Sequence, residues 1–165
     1  MKRCVLFIAA SLAVGSLLAA PEDKSGTDET RKQTAMSTTP ETMVNVRYMI
    51  DDVPAAVEFY TKHLGFSLEN NAAPAFASVT RGNLRLLLSG EKSSGRHPLP
   101  DGTKPVPGGW NRIELQVTDL KSEVARLQSE GVKFRRDDIL TGPGGSQVWL
   151  VDPSGNLVEL FQPAK

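Results

Sequence analysis

The sequence predicts an α+β fold made of two copies of a strand–helix–three-strand unit, and three observations predict it. Strand-type alternation at Val44–Ile50 and again at Ile113–Val117 is each time followed by an aspartate and a helical apolar stripe that stops at a glycine. The two halves also match by position. Val46, Tyr48, Ile50 and Asp52 reappear as Ile113, Leu115, Val117 and Asp119, each 67 residues on, and Gly82-Asn83-Leu84 reappears as Gly155-Asn156-Leu157, 73 residues on. Finally, three strand patterns follow the helix in each half. A helix covers one face of such a sheet and leaves the other open, so the two units are expected to pair and curve around a cavity.

The elements follow in order. Val44, Val46, Tyr48 and Ile50 alternate with Asn45, Arg47 and Met49, the two-residue period of a strand. Asp51 and Asp52 offer an N-cap, and Pro54 suits the first helical turn. Val57, Tyr60 and Leu64 recur at helical spacing with Phe59 beside them, and Gly65 ends the helix. Phe66–Glu69, Ala75–Thr80 and Leu84–Leu88 read as strands, with Gly82-Asn83 as a tight turn. Residues 90–109 are a Pro/Gly-rich linker, long enough to be either a lid or a plain hinge. Arg96, His97 and Lys104 on it are candidates for closing over an anionic ligand. In the second half, Asp119 caps a helix whose stripe is Leu120, Val124 and Leu127, and Gly131 ends it. Val132–Arg136, Gln147–Val151 and Leu157–Gln162 are the remaining strands, with Asp152–Asn156 as the last turn.

Before the folded part, residues 1–20 have the form of a secretory signal. Lys2 and Arg3 precede an uncharged run from Val5 to Ala20, short for a membrane span of roughly 20 residues. Cleavage after Ala20 or near Ala13-Val14-Gly15, or retention as an N-terminal anchor, all remain open; an uncleaved signal is the one route to a membrane. Residues 21–42 carry almost nothing apolar and read as a disordered tether, so the domain is placed at 43–163. Cys4 is the single cysteine and lies within the signal. An exported mature chain therefore has no disulfide and no thiolate chemistry. Lysines and arginines number 19, as do aspartates and glutamates, and this balance argues against nucleic acid as a partner.

Three segments carry a resemblance: VRYMIDDVPAAVEFYTKHLGF, GGWNRIELQVTDLKSEVARLQSEGVKF and WLVDPSGNLVELFQP. Across residues 43–163 the chain resembles the vicinal-oxygen-chelate superfamily, which holds glyoxalases, bleomycin-resistance proteins and extradiol dioxygenases. The resemblance implies a paired βαβββ fold, a homodimer, and a ligand site on the open faces of the sheets. It also implies four metal-ligand positions, which fall here on Asn45, Leu86, Arg112 and Glu159. Of these, Glu159 alone is a good ligand for a divalent ion, and Arg112 places a permanent positive charge where a cation would sit. No metal and no cofactor are expected.

The pocket expected from the resemblance and the strand alternation consists of Asn45, Arg47, Met49, Leu86, Trp110, Arg112, Glu114, Gln116, Glu159 and Phe161, with Leu84, Leu86 and Leu88 as an apolar floor. Trp110 either stacks on a flat ligand or plugs the mouth, whereas Trp149 is placed in the core. His63 and His97 are read as surface histidines. Arg112 and Glu159 are expected to form an ion pair, in a two-bond fork, that fills the metal's electrostatic place. The function expected is an exported, periplasmic or extracellular, small-molecule-binding protein of the glyoxalase/bleomycin-resistance type. The alternative, an enzyme, is a metal-independent lyase or isomerase with Glu159 as general base, a role that Arg112 opposes.

Overall fold

A computed structural model describes residues 42–165. The expected signal and tether therefore lie outside the described residues, Thr42 excepted. The chain runs β1 (Val44–Met49), α1 (Val53–Glu58), β2 (Ser67–Ala72), β3 (Phe76–Arg81), β4 (Leu84–Ser89), β5 (Arg112–Gln116), α2 (Leu120–Ser129), β6 (Phe134–Gly142), β7 (Gly145–Val151) and β8 (Leu157–Pro163). The strands form two four-stranded sheets with the same order, β1-β4-β3-β2 and β5-β8-β7-β6. In each sheet the first strand pairs with the last in parallel, and the other pairings are antiparallel. This is the duplicated βαβββ architecture expected from the sequence.

Local chemistry sets the helix ends. Asp52 accepts from the Ala55 backbone N–H at 3.0 Å, and Asp119 accepts from that of Ser122 at 3.0 Å. Gly65 (φ 67°) and Gly131 (φ 78°) turn the chain out of the helices in a conformation that a Cβ disfavours. α1 continues into a wider π-helical turn at Phe59–His63 that the sequence pattern does not reveal. There the Thr61 hydroxyl donates to the Val57 carbonyl at 2.7 Å, competing for a helix acceptor. The widened turn leaves Phe59 and Tyr60, consecutive residues, both buried.

The inner faces of both units join in one hydrophobic core. Ile50, Tyr60, Val79, Leu86 and Leu88 from the first half share it with Leu115, Leu120, Leu127, Leu150 and Leu160 from the second. Tyr48 fastens the halves together. Its hydroxyl donates to the Leu157 carbonyl at 2.8 Å and accepts from the Ile113 N–H at 2.9 Å, bridging the starts of β5 and β8. Asp152 accepts from the Tyr60 hydroxyl at 3.1 Å, and Asn156 donates to the Met49 carbonyl at 2.9 Å.

The outer strands differ most from expectation. β2 runs to Ala72 and β6 to Gly142, each beyond the segment read as strand. Both are sheet edges. Exposed edges have no apolar face to advertise, so Glu69-Asn70-Asn71 and Asp137-Asp138 carry no two-residue alternation.

Candidate functional site

Strand register fixes which side chains share the open face of each sheet. In parallel β5 and β8, Arg112 lies opposite Leu157, Glu114 opposite Glu159, and Gln116 opposite Phe161. β7 adds Trp149 opposite Glu159, and Gln147 opposite Phe161. In the first sheet Asn45 lies opposite Arg85, Arg47 opposite Leu87, and Met49 opposite Ser89. The expected pocket residues therefore divide into two groups, one on each sheet. Among the described residues, no side-chain hydrogen bond crosses from one group to the other.

One expected pocket residue belongs elsewhere. Leu86 lies opposite Val46 and Val79, is 0% exposed and packs in the core beneath the helices. Leu88 shares that fate, and Leu84 packs against the same core, so the apolar floor is a correction: these leucines hold the fold, not a ligand. A strand's alternation gives two faces, and register puts these leucines on the core face of β4. The open-face residues of β4 are Arg85, Leu87 and Ser89.

The second group contains a partly buried ion pair. Arg112 Nε donates to Glu159 Oε2, while the carboxylate side chain is only 7% exposed. A carboxylate so buried needs a partner, and Arg112 supplies it. The pair uses one guanidinium bond where the sequence reading expected a two-bond fork. Arg112 Nη1 instead reaches the Trp110 carbonyl at 3.4 Å, and the guanidinium lies over the Trp149 ring at 4.3 Å from its centroid. A guanidinium favours an indole face, so one side chain here serves a carboxylate and an aromatic ring together. Arg136 approaches the same indole at 5.9 Å, and Trp149 Nε1 donates to Gln147 Oε1 at 3.1 Å.

Trp149 is thus on the open face, not in the core. The signal was present in β7: Val148 and Leu150 are buried, and Trp149 lies between them, out of phase. Trp110 is 68% exposed and plugs nothing. It stands over a depression of about 340 Å3 lined by Gly109, Trp110, Arg135, Val151, Gly155 and Leu157. Sequence reasoning also missed Arg135, which enters through an irregularity in strand register.

On the first sheet, Arg47 Nη1 donates to the Ser89 hydroxyl at 2.5 Å. Arg85 and the Ser78 hydroxyl both hold Glu69, and these bonds keep its carboxyl below the usual range. The linker is more fixed than a hinge. Arg96, a candidate for closing over an anionic ligand, donates to the carbonyls of Ile50 (2.8 Å) and Pro105 (3.3 Å) and to Asp51 Oδ1 (3.0 Å). His97 and Lys104 line a separate depression of about 240 Å3.

His63 departs from its reading as a plain surface residue. Its Nδ1 lies 2.6 Å from Glu130 Oε2, and Arg126 donates to the His63 carbonyl at 2.8 Å. The contact ties the end of α1 to the end of α2, and Glu130 is held below the usual carboxyl range, first by His63 and then by Arg126.

The donor chemistry at the four expected ligand positions does not suit a divalent metal. Leu86 is in the core, Asn45 is on the other sheet, and Arg112 occupies the carboxylate of Glu159. Arg85 and Leu87, the nearest open-face neighbours of Leu86, offer no metal donor either. Among the described residues, no group of three or more His, Cys, Asp or Glu side chains comes together as a candidate metal centre.

Paired βαβββ units with polar open faces define a class of small, duplicated α+β proteins. The chain belongs to the Glyoxalase/Bleomycin resistance protein/Dioxygenase superfamily, whose family model matches residues 42–160. No curated protein gives a significant match. Solved structures do. TnmS3, an antibiotic binding protein from Streptomyces sp. CB03234, is 25% identical with a TM-score of 0.57, over 74% of this chain and 95% of that one. A superfamily member from Sphaerobacter thermophilus DSM 20745 is 25% identical with a TM-score of 0.59, over 73% and 95%. Lactoylglutathione lyase from Agrobacterium tumefaciens is 20% identical with a TM-score of 0.59, over 75% and 95%, a likeness of fold alone.

Proposed function

We propose that this chain is an exported small-molecule-binding protein of the glyoxalase/bleomycin-resistance type, holding its ligand without a bound metal on the open face of the second half. One observation carries the reading: Arg112, paired to Glu159 and stacked on Trp149, fills the place where a metal-using relative needs donors. A cation there would have to displace a guanidinium from its only good ligand. Glu114, Gln116 and Phe161 surround the pair with polar and aromatic surface of the kind that orients a small ligand. The likeness to an antibiotic binding protein supports binding as the activity.

Glu159 serves this reading better than it serves acid–base chemistry. As a general base it would need to release Arg112 before accepting a substrate proton, so a lyase or isomerase reaction is the second choice. A homodimer is part of the proposal. β1 and β5 are both edge strands, and Asn45, Arg47, Glu114 and Gln116 are exposed in the single chain, so a second copy would wall in each open face. Export rests on the basic-then-apolar pattern of residues 1–20 and places the work in the periplasm or outside the cell.

A thermal-shift screen of planar and polar small molecules, on protein stripped with a chelator, tests the binding. A ligand of the native state raises the melting temperature by mass action. Hits that persist in chelator and vanish in Arg112→Ala support the proposal. Hits that appear only after zinc, manganese or magnesium is returned overturn its metal-free part.

A further inference from the structure

The depression beside Trp110 has a different make-up from the Arg112–Glu159 pair. It continues the same open face, because Leu157 lies opposite both Arg112 and Val151. Trp110, Arg135, Val151, Leu157, Gly109 and Gly155 line it. At about 340 Å3 it has room for a fused bicyclic ring.

Arg135 is there because of a bulge. Across β6 and β7, Phe134 lies opposite Leu150 and Arg136 opposite Trp149, so Arg135 is the extra residue between two successive pairs. A bulge re-aims the side chain it inserts. β2 carries a bulge in the corresponding place, where Leu68 lies opposite Val79 and Asn70 opposite Ser78, making Glu69 the extra residue. The comparison is informative because Glu69 is neutralised within its own sheet by Arg85. Arg135 pairs with no carboxylate among the described residues. Asp138 of the same strand is taken by Arg136 at 3.4 Å.

The Trp110 side chain, likewise, makes no hydrogen bond among the described residues. An indole 68% exposed is unusual for so large an apolar side chain. Yet its segment is held on both sides: the Gly108 N–H donates to Asn156 Oδ1 at 2.9 Å, and Arg112 reaches the Trp110 carbonyl at 3.4 Å. Asn156 is itself anchored to Asp152 and to the Met49 carbonyl. The backbone under the ring is therefore fixed in advance, and the Arg135 guanidinium lies 5.9 Å from the ring centroid. A fixed aromatic face beside an unpaired guanidinium matches a flat apolar body that carries one negative group.

We propose that this depression is a subsite for a planar anion, an aromatic carboxylate or its equivalent, with the ring on Trp110 and the acid group on Arg135. The proposal rests on the second half's open face being the binding face and adds the charge and shape of the ligand.

Calorimetric titration of the full chain with 2-naphthoate and with 2-naphthylmethylammonium, equal in ring but opposite in charge, tests it. The expected result is saturable binding of 2-naphthoate, with the cation weaker by about tenfold or more, the scale of one charge-assisted hydrogen bond. Arg135→Gln should abolish the preference for the anion, and Trp110→Leu should weaken both probes. Circular dichroism confirms that each exposed-site variant is folded. Equal binding of the two probes, or a preference that survives Arg135→Gln, overturns the anion assignment while leaving a binding face. Failure of both probes alongside chelator-resistant thermal-shift hits that depend on Arg112 overturns the subsite and leaves the proposed function standing. Failure of both together with an empty screen overturns both.

Discussion

At the scale of the residue, two side chains carry more than their size suggests. Arg112 compensates a carboxylate that is 7% exposed, so Arg112→Ala strands a buried charge. The expected loss is about 2–3 kcal/mol, below the figure for a fully buried pair because the Arg112 side chain is 29% exposed. Urea melts check it, and the double variant Arg112→Met with Glu159→Met should lose less than the single one. Tyr48 is the second. Tyr48→Phe leaves the Ile113 N–H and the Leu157 carbonyl without their partner, a loss of about 1–3 kcal/mol by the same melts. The Arg112–Glu159 pair was legible in the sequence, because two opposite charges fell on positions that the resemblance brings together. Arg135 was not legible. Nothing in Phe134-Arg135-Arg136 distinguishes a bulge from a regular strand, since the bulge is set by how β6 pairs with β7.

At the scale of the element, helix caps and stripes were legible because their chemistry is local. Asp52 and Asp119 cap as expected, and removing either side chain as Asp→Ala should cost about 1 kcal/mol in thermal or denaturant melts. All eight strands were legible, but the far ends of β2 and β6 were not. β4 shows why the site was harder than the fold. Leu84, Arg85, Leu86, Leu87 and Leu88 are apolar at all but one position, so alternation cannot say which side faces the helix. Register with β1 decides it, placing Leu86 inside and Leu87 outside. Trp149 is the opposite case. Its phase against Val148 and Leu150 points outward, whereas its hydrophobicity alone predicts the core.

At the scale of the whole molecule, the two halves are held by polar bonds set into a shared core, and these make stability sensitive to alkali. Burial pushes the Tyr48 hydroxyl from 10.0 up to about 12, and burial also raises Tyr60 well above the usual value. A folded-state value raised above the unfolded one means stability is fully present below pH 10.0 and is lost as pH rises through about 12. These are the only two tyrosines in the chain. Tyrosinate absorbance should therefore stay absent just above pH 10.0 and then appear for both residues together with loss of circular dichroism. Early, separate titration of either tyrosine contradicts the buried junction. The duplication itself was legible from the matched offsets in sequence. Whether the pocket residues of the two halves meet was not, because it depends on the packing of one half against the other.

The central claim is that a small molecule binds the second half's open face with no metal, and the indole N–H resonances of the two tryptophans test it most directly. Trp149 Nε1–H donates to Gln147 Oε1 beside the Arg112–Glu159 pair, so it reports on that face. With chelator present, a compound from the screen should move the Trp149 indole resonance saturably, and the shift should disappear in Arg112→Ala. A resonance that stays still while the compound binds, or that moves only once a divalent metal is supplied, contradicts the account.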